Sequence, residues 1–513
     1  MVQISDIFSR QILDSRGNPT LEVDVTLSDG SLGRAAVPSG ASTGEYEAFE
    51  LRDGDNKNFN GLSVQNAVNN INTEICNTFS GYNPYNQKII DNDLIELDNS
   101  ENKSRLGANA MLGFSMAVSR ASSVSLDLPL WKYIGGMRAN TLPVPMMNII
   151  NGGAHANNGL DFQECMIMPV GFFKFSDALR AGTEIFYNLK GILSKKGFSI
   201  AVGDEGGFAP DIKNLSDALS YISEAVDQSG YKLGKEVFIS IDAAASELYN
   251  NSCYTLKGEN KKLDSDQLIK FWENICNKFP VISIEDPFDE NDWSGFKELT
   301  NLIGNKVQIV GDDLFVTNKN RLLTGIENKS ANSILIKLNQ IGTLSETLDT
   351  IEMAKKSNFG IVISHRSGET EDVFISDLAV AVNAGQIKTG SLSRSDRTAK
   401  YNQLLRIEEN LGIEGHYFGL DFFNKDLNKQ NRIVEGKRKT EEIISGTINK
   451  GEVSIHSSLT YHSSGKNLDE KPRIGLVVHF CNEHAKQIKV QNEETEYLGF
   501  LNDEWVAPLI YEK

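Results

Sequence analysis

Six polar residues in the middle and later part of this 513-residue chain share one setting: each stands at or next to the end of a short apolar run. Asp242 closes residues 237–242 (VFISID), Glu285 lies in 281–286 (VISIED) and Asp312 in 307–313 (VQIVGDD). Lys337 closes 333–337 (SILIK), His365 lies in 360–366 (GIVISHR), and Lys388 closes the weaker run 386–388 (QIK). Taken singly, such residues are most often caps or surface ion-pair partners. Brought together, the three acids would make an all-oxygen site with no cysteine or paired histidine near it. That set suits a hard cation such as Mg²⁺ or Mn²⁺ and not zinc. A lysine beside such a cation in a partly dry pocket has its neutral form favoured, which makes Lys337 a candidate general base. Lys388 would be a second cation there, and Arg366 with Ser367 offers a planar fork, a hydroxyl and backbone amides to a phosphate. Two acidic motifs complete the set: Asp204-Glu205-Gly206-Gly207, and Gln163-Glu164 after the loop Asn151-Gly152-Gly153-Ala154-His155. With a cation on a substrate carboxylate, a lysine to take the adjacent proton and a carboxylic acid for a leaving hydroxyl, the chemistry is elimination of water from a phosphorylated hydroxy acid.

Scattered residues meet only if the elements bring their ends together. From about residue 142 the chain alternates apolar runs with amphipathic segments such as 265–278 and 343–357. From Glu285 onward the polar ends recur every roughly 23 to 28 residues, close to one strand–helix unit of an eight-fold barrel. Continuous apolar runs fit strands buried on both faces. Parallel strands in one closed barrel would place all six residues on its C-terminal rim, where barrel active sites lie. The N-terminal part reads differently. Residues 4–8, 21–27 and 34–38 are β-rich, Ser28-Asp29-Gly30 signals a hairpin, and helical patterns fill 63–133, including 107–127. Strands followed by helices predict an α+β domain. The fold class is therefore α/β, a (β/α)8 TIM-type barrel preceded by an α+β domain. The expected divisions are 1–138 for the α+β capping domain, 139–428 for the barrel, 429–440 for a linker and 441–513 for a β-rich extension, read as a partial jelly roll. Strands are expected there at 452–457, 474–480 and 488–491, and five of the seven histidines lie beyond residue 410.

The formal net charge of −18 disfavours nucleic acid and anionic membrane surfaces as partners. No apolar run is long enough to cross a bilayer and no leader peptide is visible, so a cytoplasmic location is expected. The five cysteines are odd in number, dispersed and without a CxxC pair, which fits a reducing compartment.

Long ordered motifs carry a resemblance to enolase (phosphopyruvate hydratase) from about residue 4 to 419. They include Asp14-Ser15-Arg16-Gly17-Asn18-Pro19-Thr20, Val37-Pro38-Ser39-Gly40-Ala41-Ser42-Thr43-Gly44, Lys103-Ser104-Arg105-Leu106-Gly107-Ala108-Asn109-Ala110 and Val202-Gly203-Asp204-Glu205-Gly206-Gly207. Later come Ser283-Ile284-Glu285-Asp286-Pro287-Phe288, Leu338-Asn339-Gln340-Ile341-Gly342-Thr343, Ser364-His365-Arg366-Ser367-Gly368-Glu369-Thr370-Glu371-Asp372 and Gln386-Ile387-Lys388-Thr389-Gly390-Ser391. The resemblance implies glycolytic interconversion of 2-phospho-D-glycerate and phosphoenolpyruvate, with two Mg²⁺ per active site. Asp242, Glu285 and Asp312 would hold the first, and Ser42, in a loop that closes over substrate, would help to hold the second. Lys337 would be the base and Glu205 the acid, with Glu164 assisting. His155, Gln163, Arg366, Ser367 and Lys388 would bind substrate. The resemblance also implies one early antiparallel strand and a homodimer or larger homo-oligomer, with a secondary surface location conceivable. An enolase paralogue acting on a modified phosphorylated acid, and a non-catalytic scaffold or surface receptor, are the competing readings.

Two departures fall inside the matching region. Cys165 stands beside Glu164 where the family usually has an aromatic residue, and Asn99-Ser100 replaces a glycine-containing turn. Beyond it, Thr460-Tyr461-His462-Ser463-Ser464-Gly465-Lys466-Asn467 followed by Arg473 resembles the end of a phytanoyl-CoA-dioxygenase-like protein, hence a fusion. That resemblance implies iron on His462 and 2-oxoglutarate on Arg473. No histidine here has an acid two positions later, so the facial triad is incomplete and a remnant or partner-binding module is expected.

Overall fold

The computed structural model describes residues 2–40 and 44–423. Ser42 lies outside them, as do the expected linker at 429–440 and the extension at 441–513 with His462 and Arg473.

The chain opens with three antiparallel strands in the order β1 (Ile4–Leu13), β2 (Pro19–Leu27) and β3 (Leu32–Ala36). β1 runs five residues past the expected stretch. Ser9, Arg10 and Gln11 pair with β2 without being apolar, so periodicity does not reveal them. Between β2 and β3 the expected hairpin closes on Gly30, whose φ of +88° is left-handed and whose N–H donates to Leu27 O at 2.9 Å. Leu21, Val23, Val25 and Leu27 alternate inward along β2 and are fully buried. They pack on α1 (Ala108–Ser125), which is apolar or small on nearly every face and buried almost throughout. The approach is close: a Cβ on Gly33 would lie 2.1 Å from Ala117 O and 2.2 Å from Ala121 N. Ahead of α1, the helix Gln87–Asp98 ends on Asn99 at φ 49°, so asparagine takes the left-handed place that the usual glycine would fill.

The second part is a closed eight-stranded barrel. Its strands are β4 (Val144–Asn151), β5 (Glu164–Pro169), β6 (Val237–Asp242), β7 (Val281–Glu285), β8 (Gln308–Gly311), β9 (Ser333–Ile336), β10 (Gly360–Ser364) and β11 (Gln386–Lys388). All neighbours are parallel except β5, which is antiparallel to both β4 and β6. Two helices in succession, α2 (Phe175–Lys195) and α3 (Leu215–Gln228), follow β5, where single helices follow most later strands. Among those are α4 (Ser265–Lys278) and α5 (Leu344–Lys356), within a residue or so of the amphipathic segments expected. α4 begins on a capping box in which Asp264 accepts from Gln267 N–H and the Gln267 side chain accepts from Asp264 N–H. α6 (Phe374–Ala381) and α7 (Ser395–Leu411) complete the wall. A layer of Ser283, Gln308, Ser333 and Gln386 crosses the interior toward the strand starts, linked by side-chain hydrogen bonds of 2.8 to 3.1 Å.

The N-terminal sheet meets the barrel at the loop after β10. Ser39 and Gly368 exchange backbone hydrogen bonds at 2.7 and 2.9 Å, and Ser15 N–H donates to Glu369 O at 2.7 Å. From α1, Arg120 grips Asp372 with two parallel bonds of 2.7 Å. The four cysteines among the described residues are free. None of the helices described is long and apolar enough to cross a membrane.

Candidate active site

The strand ends deliver the polar residues that the sequence singles out. Asp242 and Glu285 close adjacent parallel strands in register, Glu285 opposite Asp242. Asp312 follows β8 directly, Lys337 follows β9, His365 follows β10, and Lys388 is the last residue of β11. Glu164 reaches the same rim by the opposite route. Because β5 is reversed, its first residue lies at the rim and pairs with Asp242. Cys165, next on the strand, is fully buried, and burial pushes its thiol up to about 12.

One cleft collects His155, Gln163, Glu164, Glu205, Asp242, Asp312, Lys337, Arg366, Ser367 and Lys388. The Lys388 ammonium lies 2.7 Å from Asp242 Oδ2, 2.8 Å from Glu285 Oε1 and 3.0 Å from Glu164 Oε1. Those three carboxylates outweigh burial and hold Lys388 well above the usual lysine range. Gln163 Nε2 donates to Asp242 Oδ2 at 3.1 Å. Asp312 instead accepts from the Lys337 ammonium and from Gln340 Nε2 at 2.9 Å.

The acids Asp242, Glu285 and Asp312 share the rim, where each pairs with a lysine. Among the described residues, the acid and histidine groups whose ligand atoms lie within 4.8 Å of one another are His155, Glu164 and Glu205, and Asp286, Asp312 and Asp313. Lys388 holds Asp242 and Glu285, and Lys337 holds Asp312. Burial lowers the proton affinity of Lys337, yet the pair with Asp312 more than reverses this, so Lys337 stands above its ordinary value.

The carboxylates are unequal. Burial, then repulsion from Glu205, pushes Glu164 well above the carboxylate range. Burial and repulsion from Asp242 do the same to Glu285. Asp313, beside Asp312, is pushed up to about 8, again mainly by burial. Glu205 goes the other way: burial opposes its charge, but His155, Arg397 and Lys388 help to hold it well below. Its Oε2 accepts from Asn148 Nδ2 at 3.0 Å, and its Oε1 lies 3.3 Å from His365 Nε2 and 3.6 Å from His155 Nδ1. Crowded carboxyls whose proton affinities are driven apart are the usual mark of an acid–base site.

Several buried atoms at the rim have no hydrogen-bond partner among the described residues: Glu285 Oε2, Glu164 Oε2, His155 Nδ1 and His365 Nε2. Orphaned buried acceptors in an excess of acids fit a divalent cation and oxygen-rich ligands. The donor set therefore suits Mg²⁺, with Lys388 and Lys337 neutralising the acids in the chain by itself.

The sequence reading missed Glu47, whose carboxylate meets Arg366 Nη1 at 2.9 Å and accepts from Gln340 Nε2 at 3.2 Å. It follows no apolar run, so nothing in its local pattern marks it. The apolar runs place His365 at the rim without assigning it a role. Arg397 was missed as well, since on an amphipathic helix such as α7 it reads as a solvated arginine.

The family description "Enolase, N-terminal domain" matches residues 4–134, and "Enolase, C-terminal TIM barrel domain" matches residues 139–426. The chain belongs to the enolase family. The first match spans the β1–β3 sheet and α1, and the second spans the whole barrel, so the enolase fold accounts for every described element that builds the rim. A family of this kind points to lyase chemistry on a small molecule with a divalent metal.

Proposed function

We propose that this enolase reversibly dehydrates 2-phospho-D-glycerate to phosphoenolpyruvate, as a glycolytic phosphopyruvate hydratase. The observation that carries the reading is one cleft holding Lys337 and Glu205 in different electrostatic company, Lys337 against Asp312 and Glu205 between His155 and His365. Lys337 takes the proton from the carbon next to the substrate carboxylate. A proton held in the group of Glu205, Glu164 and His155 is delivered to the departing hydroxyl, with Glu205 the donor and Glu164 its reserve. Two carboxyls this close, facing one histidine, share a proton more readily than either releases it.

Arg366 and Ser367 hold the phosphate, Arg366 through the guanidinium that Glu47 now occupies, and His155, Gln163 and Lys388 complete the substrate contacts. Asp242, Glu285 and Asp312 are the residues to hold one Mg²⁺, with Ser42 contributing to a second. When bound, the ions supply Lewis-acid stabilisation of the charge that builds on the carboxylate. With Asp312 engaged by a cation, Lys337 would lose the partner that raises its proton affinity and would serve as the base. We further propose the division into a capping domain, 1–138, and a barrel domain, 139–428. A homodimer in the cytoplasm, with no nucleic-acid or membrane partner, completes the reading. The test is to follow phosphoenolpyruvate by its ultraviolet absorbance in purified protein given 2-phosphoglycerate. Formation that needs Mg²⁺ is expected. Its absence with Mg²⁺ present would overturn the reading in favour of a modified substrate or a scaffold.

A further inference from the structure

Arg397 is buried completely, one helix removed from the cleft, and directs its guanidinium at the loops that carry the site. Nη2 donates to Ser367 O at 2.7 Å and Asp204 O at 3.3 Å; Nη1 donates to Arg366 O at 2.7 Å. Nη1 also meets the Nδ1 atom of His365. Asp396 faces the remaining Nε at 2.8 Å.

The contact with His365 has only one consistent set of protons. A guanidinium has five donors and no acceptor, and it does not give up its proton in a protein. The imidazole nitrogen that meets it must therefore be the acceptor. With Nδ1 bare, the ring is neutral and its proton sits on Nε2. That atom faces the cleft, 3.3 Å from Glu205 Oε1, buried and without a hydrogen bond among the described residues. The opposite tautomer would set two donors against each other at Nδ1 and a lone pair against a carboxylate at Nε2. A doubly protonated ring would fail at Nδ1 alone. Burial and the nearby cation also push the His365 ring well below its usual range, in the same direction as this geometry.

We infer that Arg397 is a positioning residue that locks His365 as a neutral Nε2–H donor aimed at Glu205 and the leaving hydroxyl. Resting on the proposed dehydration, this gives His365 a fixed part in the chemistry. It supplies a hydrogen bond to the acid's side of the cleft and takes no part in proton uptake. The same guanidinium holds the carbonyls of Arg366 and Ser367, so the acid and the phosphate contacts are tied to one buried side chain.

The test reads the tautomer directly, independently of turnover. Protein labelled with ¹⁵N in its seven histidines is examined by long-range ¹H–¹⁵N correlation, with the His365 signals assigned by their loss in His365→Asn. A pyridine-type Nδ1 and a pyrrole-type Nε2, unchanged from pH 5.5 to 8 (about two units around the usual histidine range), are expected. A proton on Nδ1 in the wild-type protein would overturn the inference. Arg397→Met should convert His365 to a mixed or titrating ring and lower kcat by between about ten- and 10⁴-fold, the larger figure being what a wrong tautomer costs a Ser-His-Asp triad. Arg397→Lys, which keeps a donor-only head, should retain the wild-type tautomer. An unchanged ring in a folded Arg397→Met protein would also overturn it, and if that variant does not fold the wild-type spectrum decides alone. Should 2-phosphoglycerate prove not to be a substrate, the tautomer result stands or falls on its own.

Discussion

Toward the strand starts, the barrel interior holds a layer of Ser283, Gln308, Ser333 and Gln386 in which each side chain finds a neutral partner within the layer. At the strand ends, the same barrel holds Glu164, Glu205, Asp242, Glu285 and Asp312, ionisable, crowded and with orphaned oxygens on Glu164 and Glu285. Both layers are buried, and both are polar. The first is saturated and works as structure, whereas the second is left incomplete from within and needs something from outside the chain. Burial of polar groups therefore does not by itself mark a site; unfinished bonding does.

Four substitutions break or sharpen that contrast. The largest effect is expected for Lys337→Ala, which should lower turnover of 2-phosphoglycerate by roughly 10²- to 10⁴-fold with little change in thermal stability. Activity near wild type would remove Lys337 as the base. Next is Asp377, on α6, a buried carboxyl outside both layers that burial pushes up to about 6. The folded state binds its proton more tightly than the unfolded one. Its contribution to stability is therefore greatest below about pH 4 and is lost as pH rises to about 6, a change of about 3 kcal/mol. In Asp377→Asn that part of the pH dependence of unfolding should vanish, which urea titrations at pH 4 to 7 would show; an unchanged slope would assign it to the rim. Smaller is Gln308→Leu, which strands the partners of the inner layer and should cost about 2 kcal/mol in urea unfolding while sparing the rim's response to Mg²⁺. Smallest is Glu285→Gln. Fixing this crowded carboxyl in a neutral form should stabilise the metal-free protein by about 1 kcal/mol and abolish the rise in Tm on adding Mg²⁺. A metal-free Tm that falls would mean that the rim is held together by Lys388 and not strained by its acids.

Much of the rim was legible because parallel barrel strands advertise themselves: an apolar run, then a polar residue, at a steady interval. Asp242, Glu285, Asp312, Lys337 and Lys388 came from that pattern without any relative. Glu164 and Glu205 did not, since neither ends such a run; their loop motifs drew notice, and only the resemblance gave them roles. Gln308 and Gln386 were hidden for a different reason. A glutamine at the start of an apolar strand looks like an entry from solvent, and only the closed barrel turns it inward. The pairing that keeps Lys337 charged was also beyond the sequence, which shows which groups approach a cation but not which of them neutralise one another before it arrives. Asn99-Ser100 stood out as a replaced glycine-containing turn, and the left-handed backbone at Asn99 explains why asparagine serves there.

The reversed strand β5 has a consequence for how the mouth is furnished. A barrel of uniform direction returns to its rim once per strand–helix unit. Turning one strand around makes the link between β4 and β5 a hairpin at the mouth, and that single link brings His155, Gln163 and Glu164. The strand then finishes at the far end, so α2 must climb back and α3 descend before β6 can start, and the bend between them hangs over the mouth carrying Glu205. One inverted segment thus supplies His155, Gln163, Glu164 and Glu205 to the cleft from a contiguous stretch of about fifty residues, leaving the remaining strands to furnish Asp242, Glu285, Asp312 and the two lysines. Changes of direction in a closed sheet can act as a means of crowding ionisable groups without enlarging the barrel.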